Sequence, residues 1–266
     1  MPIVFSAIAS HSPLLLERVG KSNRRRLKTT LESYAELERL LYAAKPETLA
    51  VISPHGDVLP DVFSIGLAHR FTADFSAFGD FSAQPEWRAD PVTAQSLRTA
   101  DESSRQVQPH ILGTQRTLDH GITVPAVLLT PHLPSIALLP FRTAGLAATA
   151  HWRFGQHIGS GLRTSPRRVA VIASADLSHR LSKTSPAGFS PQAAAFDRQL
   201  LEYVRRGDAA SVIGLDPALA AAVACCGHLP IAFLLGILDG MNVTPSILSY
   251  EGPFGVGHLM AAYRFG

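Results

Sequence analysis

The chain has 266 residues, of which 46% are hydrophobic and 17% are charged. A chain of this length and composition can bury a sizeable core, which excludes global disorder and allows one large domain or two small ones. The formal net charge of +3 is small and spread along the chain, so the composition does not indicate a nucleic-acid-binding protein.

Short apolar runs predict eight strands, and segments with helical spacing of apolar residues predict helices between them. In chain order the strands are Ile3–Ser10, Thr48–Ser53, Val62–Leu67, Val124–Leu129, Ile136–Pro140, Arg168–Ser174, Ser246–Tyr250 and Val256–Phe265. The helices are Lys21–Ala44, one that begins at Asp90-Pro91, His151–Leu162, Pro191–Arg206 and a broken pair over Pro217–Leu238. The segment Arg70–Asp90 has no clear period and is predicted to be irregular or a short hairpin.

Strands and helices alternate through most of the chain, which is typical of an α/β fold. We expect an α/β/α sandwich with a central mixed, mainly parallel sheet that is covered on both faces. No internal repeat and no low-complexity linker divides the sequence. Residues 1–266 are therefore predicted to form a single domain.

Three local features bear on the compartment. Cys225 and Cys226 are adjacent, so the sequence predicts no disulfide framework and favours a reducing cytoplasm. Met1–Ser10 is apolar but lacks a basic n-region, and we interpret it as a first strand rather than a signal peptide. Ala218–Leu238 carries no formal charge before Asp239 and has the length of a bilayer span. Because Gly227 and Pro230 interrupt it, two buried helices are the preferred interpretation, with no membrane association.

Several histidines follow directly after predicted strands. His11, His55 and His179 each stand just beyond the end of a buried strand. Ligands of open α/β sheets bind outside the carboxyl ends of the strands, so these imidazoles are expected to converge. Imidazole suits iron, zinc and copper, and the pattern predicts a metal site that uses His11 and His55. His120 precedes the strand candidate Val124–Leu129 and shares this edge only if that strand runs antiparallel.

The sequence resembles the class III extradiol dioxygenases of the LigB type, together with their relatives in the Memo family, which includes the AmmeMemoRadiSam system protein B, and the DOPA dioxygenases. Five short motifs in the same order carry the resemblance over nearly the whole chain. They are Ala7–Pro13 (AIASHSP), Ile52–His55 (ISPH), Asp119–Gly121 (DHG) followed by Val124-Pro125, Ala175–His179 (ADLSH) and Cys226–Ile231 (CGHLPI).

The resemblance implies a role for four histidines. The two iron-binding histidines of the family correspond to His11 and His55, and its acid–base histidine corresponds to His179. The histidine that helps to hold substrate or bound oxygen corresponds to His120. A small aromatic substrate and dioxygen would be the reactants, with Fe(II) as the expected cofactor and zinc or copper as alternatives.

The third metal ligand departs from the ring-cleaving pattern. Ring-cleaving enzymes place a glutamate there, or in the DOPA group a histidine, whereas this chain has Gly227 at the aligned position. The Memo relatives carry a Cys-Gly pair, which Cys226-Gly227 matches. Cys226, or His228 by a small shift, is therefore expected to complete the site, and Glu251 is a further candidate.

Three hypotheses follow from these residues. The first is a non-haem Fe(II) dioxygenase that cleaves a catechol-type aromatic, with His179 moving the protons. The second is a Memo-like metal-binding protein that does not cleave rings and binds a partner or acts in redox chemistry. The third, a zinc hydrolase, ranks lower because no carboxylate is assignable as its general base. A homodimer or a small partner subunit is expected from the family resemblance.

The segment Arg70–Asp90 is rich in aromatic residues, with Phe71, Phe75, Phe78, Phe81 and Trp87. These side chains are expected to form a satellite of the core, and a lid over the site or a subunit contact is the alternative.

Overall fold

A computed structural model of the chain describes residues 2–82, 84–101, 110–112 and 115–266. Eleven strands in these ranges form one mixed sheet. The strands are β1 (Ile3–Ala9), β2 (Thr48–Ser53), β3 (Ser64–Gly66), β4 (Arg70–Ala73), β5 (Glu86–Ala89), β6 (His110–Leu112), β7 (Thr117–Leu118), β8 (Ala137–Arg142), β9 (Val169–Ser174), β10 (Val243–Glu251) and β11 (His258–Phe265).

Nine α-helices are present in the described ranges. They are α1 (Glu17–Gly20), α2 (Lys28–Ala44), α3 (Pro91–Asp101), α4 (His120–Leu129), α5 (Ala148–Arg163), α6 (Ala193–Arg206), α7 (Ala209–Ile213), α8 (Pro217–Ala222) and α9 (His228–Ile237). None of them has the length and apolar character that a bilayer crossing requires.

The centre of the sheet is parallel. Strands β1, β9, β2 and β8 are neighbours in that order and all run in the same direction. Strand β11 pairs with β1 in the antiparallel direction, so the beginning of β11 lies beside the carboxyl end of β1. The residues that follow β1, β2 and β9 therefore meet the first residue of β11 at one edge of the sheet.

A hydrophobic core covers each face of the sheet. Successive side chains of a strand point to opposite faces, and accordingly Ala50 and Ile52 belong to one core while Leu49 and Val51 belong to the other. The first core also contains residues of α5, α6 and α9, and the second contains residues of α2 and α4. The α/β fold with a mixed, mainly parallel sheet and a helical layer on each face is thus confirmed.

The strand predicted for Val124–Leu129 is wrong, because these residues form the second half of α4. A short apolar run does not distinguish a buried strand from a buried helix. The deciding signal is Asp119, whose side chain caps the helix by accepting a hydrogen bond from the backbone N–H of Ile122. His120 is consequently the first residue of a helix and does not precede a strand.

Two other segments refine the predicted elements. The broken helical pair over Pro217–Leu238 is confirmed as α8 and α9, which are separated by a turn at residues 223–227. Arg70–Asp90 contains an antiparallel hairpin of β4 and β5, which agrees with the hairpin alternative.

Candidate metal centre and its cavity

A cavity of about 580 Å³ opens at the carboxyl edge of the parallel strands. Five of the predicted or neighbouring histidines contribute to its wall, together with one carboxylate. These polar residues are His11, His55, His120, Asp176, His179 and His258. The structure thus brings together the four histidines that the sequence singled out.

His11 is oriented by the hydroxyl of Ser174, which bonds to a backbone carbonyl of α4 that no N–H of the helix reaches. Pro125 lacks the backbone N–H that would bond to the carbonyl of Gly121 four residues earlier. The hydroxyl of Ser174, at the end of β9, donates to this carbonyl and accepts from Nδ1 of His11 at 2.9 Å. Since a carbonyl only accepts, the hydroxyl proton is committed, and His11 carries its proton on Nδ1. Its Nε2 is therefore free to bind a ligand.

His55 is held by a network at the end of β2. Its backbone N–H donates to the hydroxyl of Ser53 at 3.1 Å, and that hydroxyl donates to Asp119 at 2.6 Å. The buried Arg142 lies 3.4 Å from the other oxygen of Asp119. Gly121 allows this packing, because a Cβ there would lie 2.3 Å from the Ser53 hydroxyl and 3.2 Å from the His55 ring.

Cys226 reaches the site from the turn between α8 and α9. The turn contains Ala224, whose φ of 53° is unusual for a residue other than glycine. The Cys226 sulfur lies 3.4 Å from Nε2 of His11 and donates to the backbone oxygen of Asp176 at 3.3 Å. Burial, followed by the Asp176 carboxylate, raises the pKa of this thiol well above its ordinary value.

Three ligand atoms therefore surround one point. The Nε2 atoms of His11 and His55 are 3.0 Å apart, and both lie within 4.8 Å of the Cys226 sulfur. Metal–ligand bonds of about 2.0–2.3 Å place neighbouring ligand atoms about 3–3.7 Å apart. The 3.0 Å between the two Nε2 atoms and the 3.4 Å between the Cys226 sulfur and Nε2 of His11 lie in this range, and imidazoles and thiols bind metals, so this cluster is the candidate metal centre. It does not identify the ion, because such ligands accept several transition metals.

Asp176 lies next to this centre and is almost fully buried. Its Oδ2 is 3.6 Å from Nε2 of His11, and its Oδ1 accepts a hydrogen bond from Ser10. Nδ1 of His258 donates to Oδ1 of Asp176 at 3.1 Å. Burial opposes ionisation, but the interactions of Asp176 with His11 and His258 and its hydrogen bond from Ser10 hold its pKa below the ordinary value. Asp176 is therefore the ionised group that the cavity wall keeps beside the ligands.

The cavity histidines are neutral near pH 7 wherever a shift is resolved. Burial lowers the pKa of His11 to about 3, although Asp176 raises it. Burial lowers the pKa of His55 to about 4. Burial likewise lowers the pKa of His120, whose ring stacks on that of His55 at 4.4 Å between centroids. Neutral imidazole is the form that binds metal.

His179 stands apart from the three ligand atoms but faces the same cavity. Its Nδ1 lies 3.0 Å from the carbonyl oxygen of Leu177, to which it must donate. Its Nε2 is thus the nitrogen that can accept a proton. The loop is anchored by Asp197, whose carboxylate accepts the N–H of Ser178 at 3.0 Å. Burial raises the pKa of Asp197 to about 6, even though hydrogen bonds from Tyr250 and Ser178 lower it.

Two sequence candidates do not belong to the cluster. His228 begins α9 and turns away from Cys226, so that its Nε2 donates to the carbonyl oxygen of Val212 at 2.7 Å. Glu251 is engaged elsewhere, because it accepts from the backbone N–H of Thr30 at 2.7 Å and from the hydroxyl of the same residue at 2.6 Å. Of the three candidates for the third ligand, only Cys226 lies at the cluster.

The comparisons with known proteins identify the family of this chain. Residues 6–262 match the family described as the catalytic LigB subunit of aromatic ring-opening dioxygenase. The chain belongs to the LigB family. It is 26% identical over 257 residues to Protein CA_C1420 of Clostridium acetobutylicum. This alignment covers 93% of this chain and 54% of that protein. This member of the LigB family thus spans about half the length of the curated relative.

A solved structure supports the fold of this LigB-family chain. The uncharacterized protein JW3007 from Escherichia coli K12 aligns with a TM-score of 0.69 and covers 99% of this chain and 100% of its own. The sequence identity is 15%, so the likeness concerns the fold alone.

Sequence reasoning missed two contributors to the cavity. His258 stands in the last strand and follows no strand end, but the antiparallel pairing of β11 with β1 brings it to the edge where His11 lies. Phe78 lines the cavity, while Phe71, Phe75 and Trp87 lie in the core and Phe81 is exposed. The aromatic segment therefore serves mainly as a satellite of the core, with one residue at the cavity.

Proposed function

We propose that this protein is a metal-dependent dioxygenase that opens the ring of a catechol-type aromatic, with Fe(II) held by His11, His55 and Cys226. The observation that carries the proposal is the convergence of three ligand atoms, from His11, His55 and Cys226, beside a cavity that His11, His55 and His179 line. The match to a family of ring-opening dioxygenases supports it. Iron, when bound, supplies open positions for the diol and dioxygen and a path for electrons between them.

His179 is assigned the proton transfers. With its Nδ1 proton committed to Leu177, Nε2 accepts a proton from a diol hydroxyl and later returns it to the opened ring. His120 is assigned to hold substrate or dioxygen, because its ring stacks on His55 and faces the cavity. A buried environment keeps His11 and His55 unprotonated, which leaves both Nε2 atoms available as ligands.

Oxygen uptake tests this function. The protein is reconstituted anaerobically with Fe(II), supplied with a panel of catechols and followed with an oxygen electrode and by absorption spectra. We expect stoichiometric uptake and a yellow ring-opened product. In His179→Gln, iron should remain bound while kcat falls by about 10²–10⁴. Absence of uptake by iron-loaded protein with every diol would refute ring cleavage, and an unchanged kcat in the variant would refute the role of His179.

A second candidate is favoured by one residue, Cys226. A thiolate in place of the carboxylate of ring-cleaving relatives raises electron density at the metal and suits copper or zinc as well as iron. The protein would then be a Memo-like metal-binding protein that acts in redox chemistry or binds a partner. Metal analysis of protein purified without added iron separates the two, because bound copper or zinc without oxygen uptake supports the second candidate.

A further inference from the structure

The cavity is lined by two chemically different sets of side chains. The polar set comprises the five histidines and Asp176. The apolar set, which we call the apolar wall, comprises Leu14, Val19, Phe78, Phe254 and Val256. A volume of about 580 Å³ lies within the range that encloses drug-sized ligands, so a bare benzenediol ring would leave most of it filled with water. The size and polarity of the cavity therefore call for a diol with a substituent that reaches the apolar wall.

The charge of the cavity disfavours an anionic substituent. Among the described residues that line it there is no lysine and no arginine. A carboxylate substituent would therefore lose solvation without meeting a cationic side chain of the lining. An uncharged substituent avoids this cost.

Phe254 is held against the cavity by an unusual backbone. Its φ of 60° and ψ of 12° lie in the left-handed region, which costs energy for a residue other than glycine. Two contacts with other segments hold Phe254 in place. The guanidinium of Arg26 lies 4.0 Å from the centre of the Phe254 ring. The carbonyl of the next residue, Gly255, accepts a hydrogen bond from the backbone N–H of Leu181 at 3.1 Å. One face of the ring is thus covered by a cation, while the side chain still lines the cavity.

Phe78 supplies a second aromatic side chain. It ends a short 3-10 turn at Ser76–Phe78, packs edge-on against His120 at 5.3 Å between centroids and is 38% exposed. Because Phe78 lines the cavity, a ligand there would cover part of its exposed surface. Through its contact with His120, Phe78 lies beside the polar set of side chains.

We propose that the cavity selects diols that carry an uncharged, apolar substituent, and that Phe78 and Phe254 are the residues that select them. This inference rests on the proposed function, since it names the substrate class of the same site. Apolar contact with both rings favours such a substituent, and the described lining offers no cationic side chain that would pair with an acidic one.

Calorimetric binding to the Fe(II)-loaded protein without oxygen tests the selection. Three diols are compared: catechol, 4-phenylcatechol and 3,4-dihydroxybenzoate. We expect 4-phenylcatechol to bind about tenfold more tightly than catechol, and 3,4-dihydroxybenzoate to bind more weakly than catechol. Tighter binding of 3,4-dihydroxybenzoate than of 4-phenylcatechol would overturn the proposal and point to a cation at the mouth, such as Arg26.

Variants assign the selection to the two rings. Phe78→Ala and Phe254→Ala should each remove most of the tenfold advantage of 4-phenylcatechol and change catechol binding less. Phe81→Ala is the matched control, because Phe81 lies on the same segment, is 83% exposed and is not part of the apolar wall. Equal losses for all three diols in both variants would overturn the assignment.

Oxygen uptake with the same diols keeps this inference separate from the proposed function. If 4-phenylcatechol is preferred in binding but no diol supports uptake, ring cleavage fails and the selection stands. If uptake occurs but is fastest with 3,4-dihydroxybenzoate, the selection fails and ring cleavage stands.

Discussion

The buried histidines of this protein fall into two groups that look alike by burial and differ by hydrogen bonding. His11 lines the cavity, whereas His151 lies in α5 against Phe63. Burial lowers the pKa of His11 to about 3 and that of His151 to about 4. By these two measures alone, both histidines resemble functional groups.

Their ring nitrogens separate them. Nδ1 of His151 donates to the carbonyl oxygen of Ala147 at 3.0 Å, and its Nε2 accepts from the backbone N–H of Ala144 at 3.2 Å. Both nitrogens of His151 thus serve the backbone at the start of its own helix. His11 uses only Nδ1 in this way and leaves Nε2 toward His55 and Cys226. A nitrogen left open toward other ligands, rather than a shifted pKa, marks the candidate metal centre.

Replacing one histidine from each group gives the largest expected difference. His55→Ala removes one of three ligand atoms and should reduce bound metal from about one ion per chain to near zero, with loss of any oxygen uptake. His151→Gln should keep its metal, because His151 contacts none of the ligand atoms. Metal content by elemental analysis checks both, and full metal occupancy in His55→Ala would contradict the assignment of the centre.

Asp119 supports His55 through Ser53, so a substitution of Asp119 should affect both stability and metal binding strongly. Asp119→Asn keeps a helix cap but leaves the buried Arg142 without its counter-charge, which costs about 3 kcal/mol of the free energy of unfolding. The altered contact with Ser53 should also weaken metal binding by about ten- to hundredfold.

Urea unfolding and metal titration measure these two effects. Asp208→Asn is the matched control, since Asp208 also caps a helix by accepting from the N–H of Ser211 but faces solvent. Equal losses of stability in the two variants would show that the Arg142 pair contributes nothing beyond the cap.

The adjacent cysteines allow a comparison at the third ligand. Cys226 lies at the cluster, whereas Cys225 lines a separate apolar cavity of about 300 Å³. Cys226→Ser should weaken metal binding by about a hundredfold, because a serine hydroxyl is a poor ligand at neutral pH, and Cys225→Ser should leave it close to wild type. Competition with a chromophoric chelator measures both affinities. Equal affinities in the two variants would exclude the thiol from the centre.

The sequence predicted the ligands that follow strands, because a residue just beyond a buried parallel strand has a known position. His11 and His55 are of this kind. Cys226 and His228 were not separable in sequence, since a shift of two residues at the start of a helix reverses the direction of a side chain. The position of Cys226 depends on the turn between α8 and α9, in which Ala224 has a positive φ. No local sequence pattern predicts this conformation.

Long-range pairing explains what remained hidden. His258 reaches the cavity only because β11 runs antiparallel to β1, a contact between residues about 250 positions apart in the chain. The role of Pro125 was also invisible, because it depends on a hydroxyl from β9 reaching the carbonyl that this proline leaves free. Fold class and the strand-end histidines follow from local patterns, whereas the rest of the site follows from topology.

The smallest predicted effect concerns the pH dependence of stability that His151 causes. Both ring nitrogens of His151 bond to the backbone, and we call it the closed histidine, in contrast to His11, the open one. The pKa of His151 is about 4 in the folded protein, below the ordinary value of 6.5. Between pH 6.5 and pH 4, His151 is therefore protonated in the unfolded chain but not in the folded protein. The contribution of His151 to stability is complete above pH 6.5 and is lost as the pH falls toward 4, at about 1.4 kcal/mol per pH unit. The slope of stability against pH should therefore be smaller in His151→Gln than in the wild type over this window.

Urea unfolding at pH 7, 6 and 5 measures this slope, and His132→Gln, at an exposed histidine on the surface, controls for the loss of one histidine. Identical slopes in His151→Gln and the wild type would show that His151 takes up a proton in the folded protein as readily as in the unfolded chain. Its ring would then have to release the N–H of Ala144, because a protonated imidazole has no lone pair with which to accept it. His151 would then also have a ring nitrogen that is not held by the backbone. An open nitrogen, as in His11, would no longer distinguish the candidate metal centre from other buried histidines.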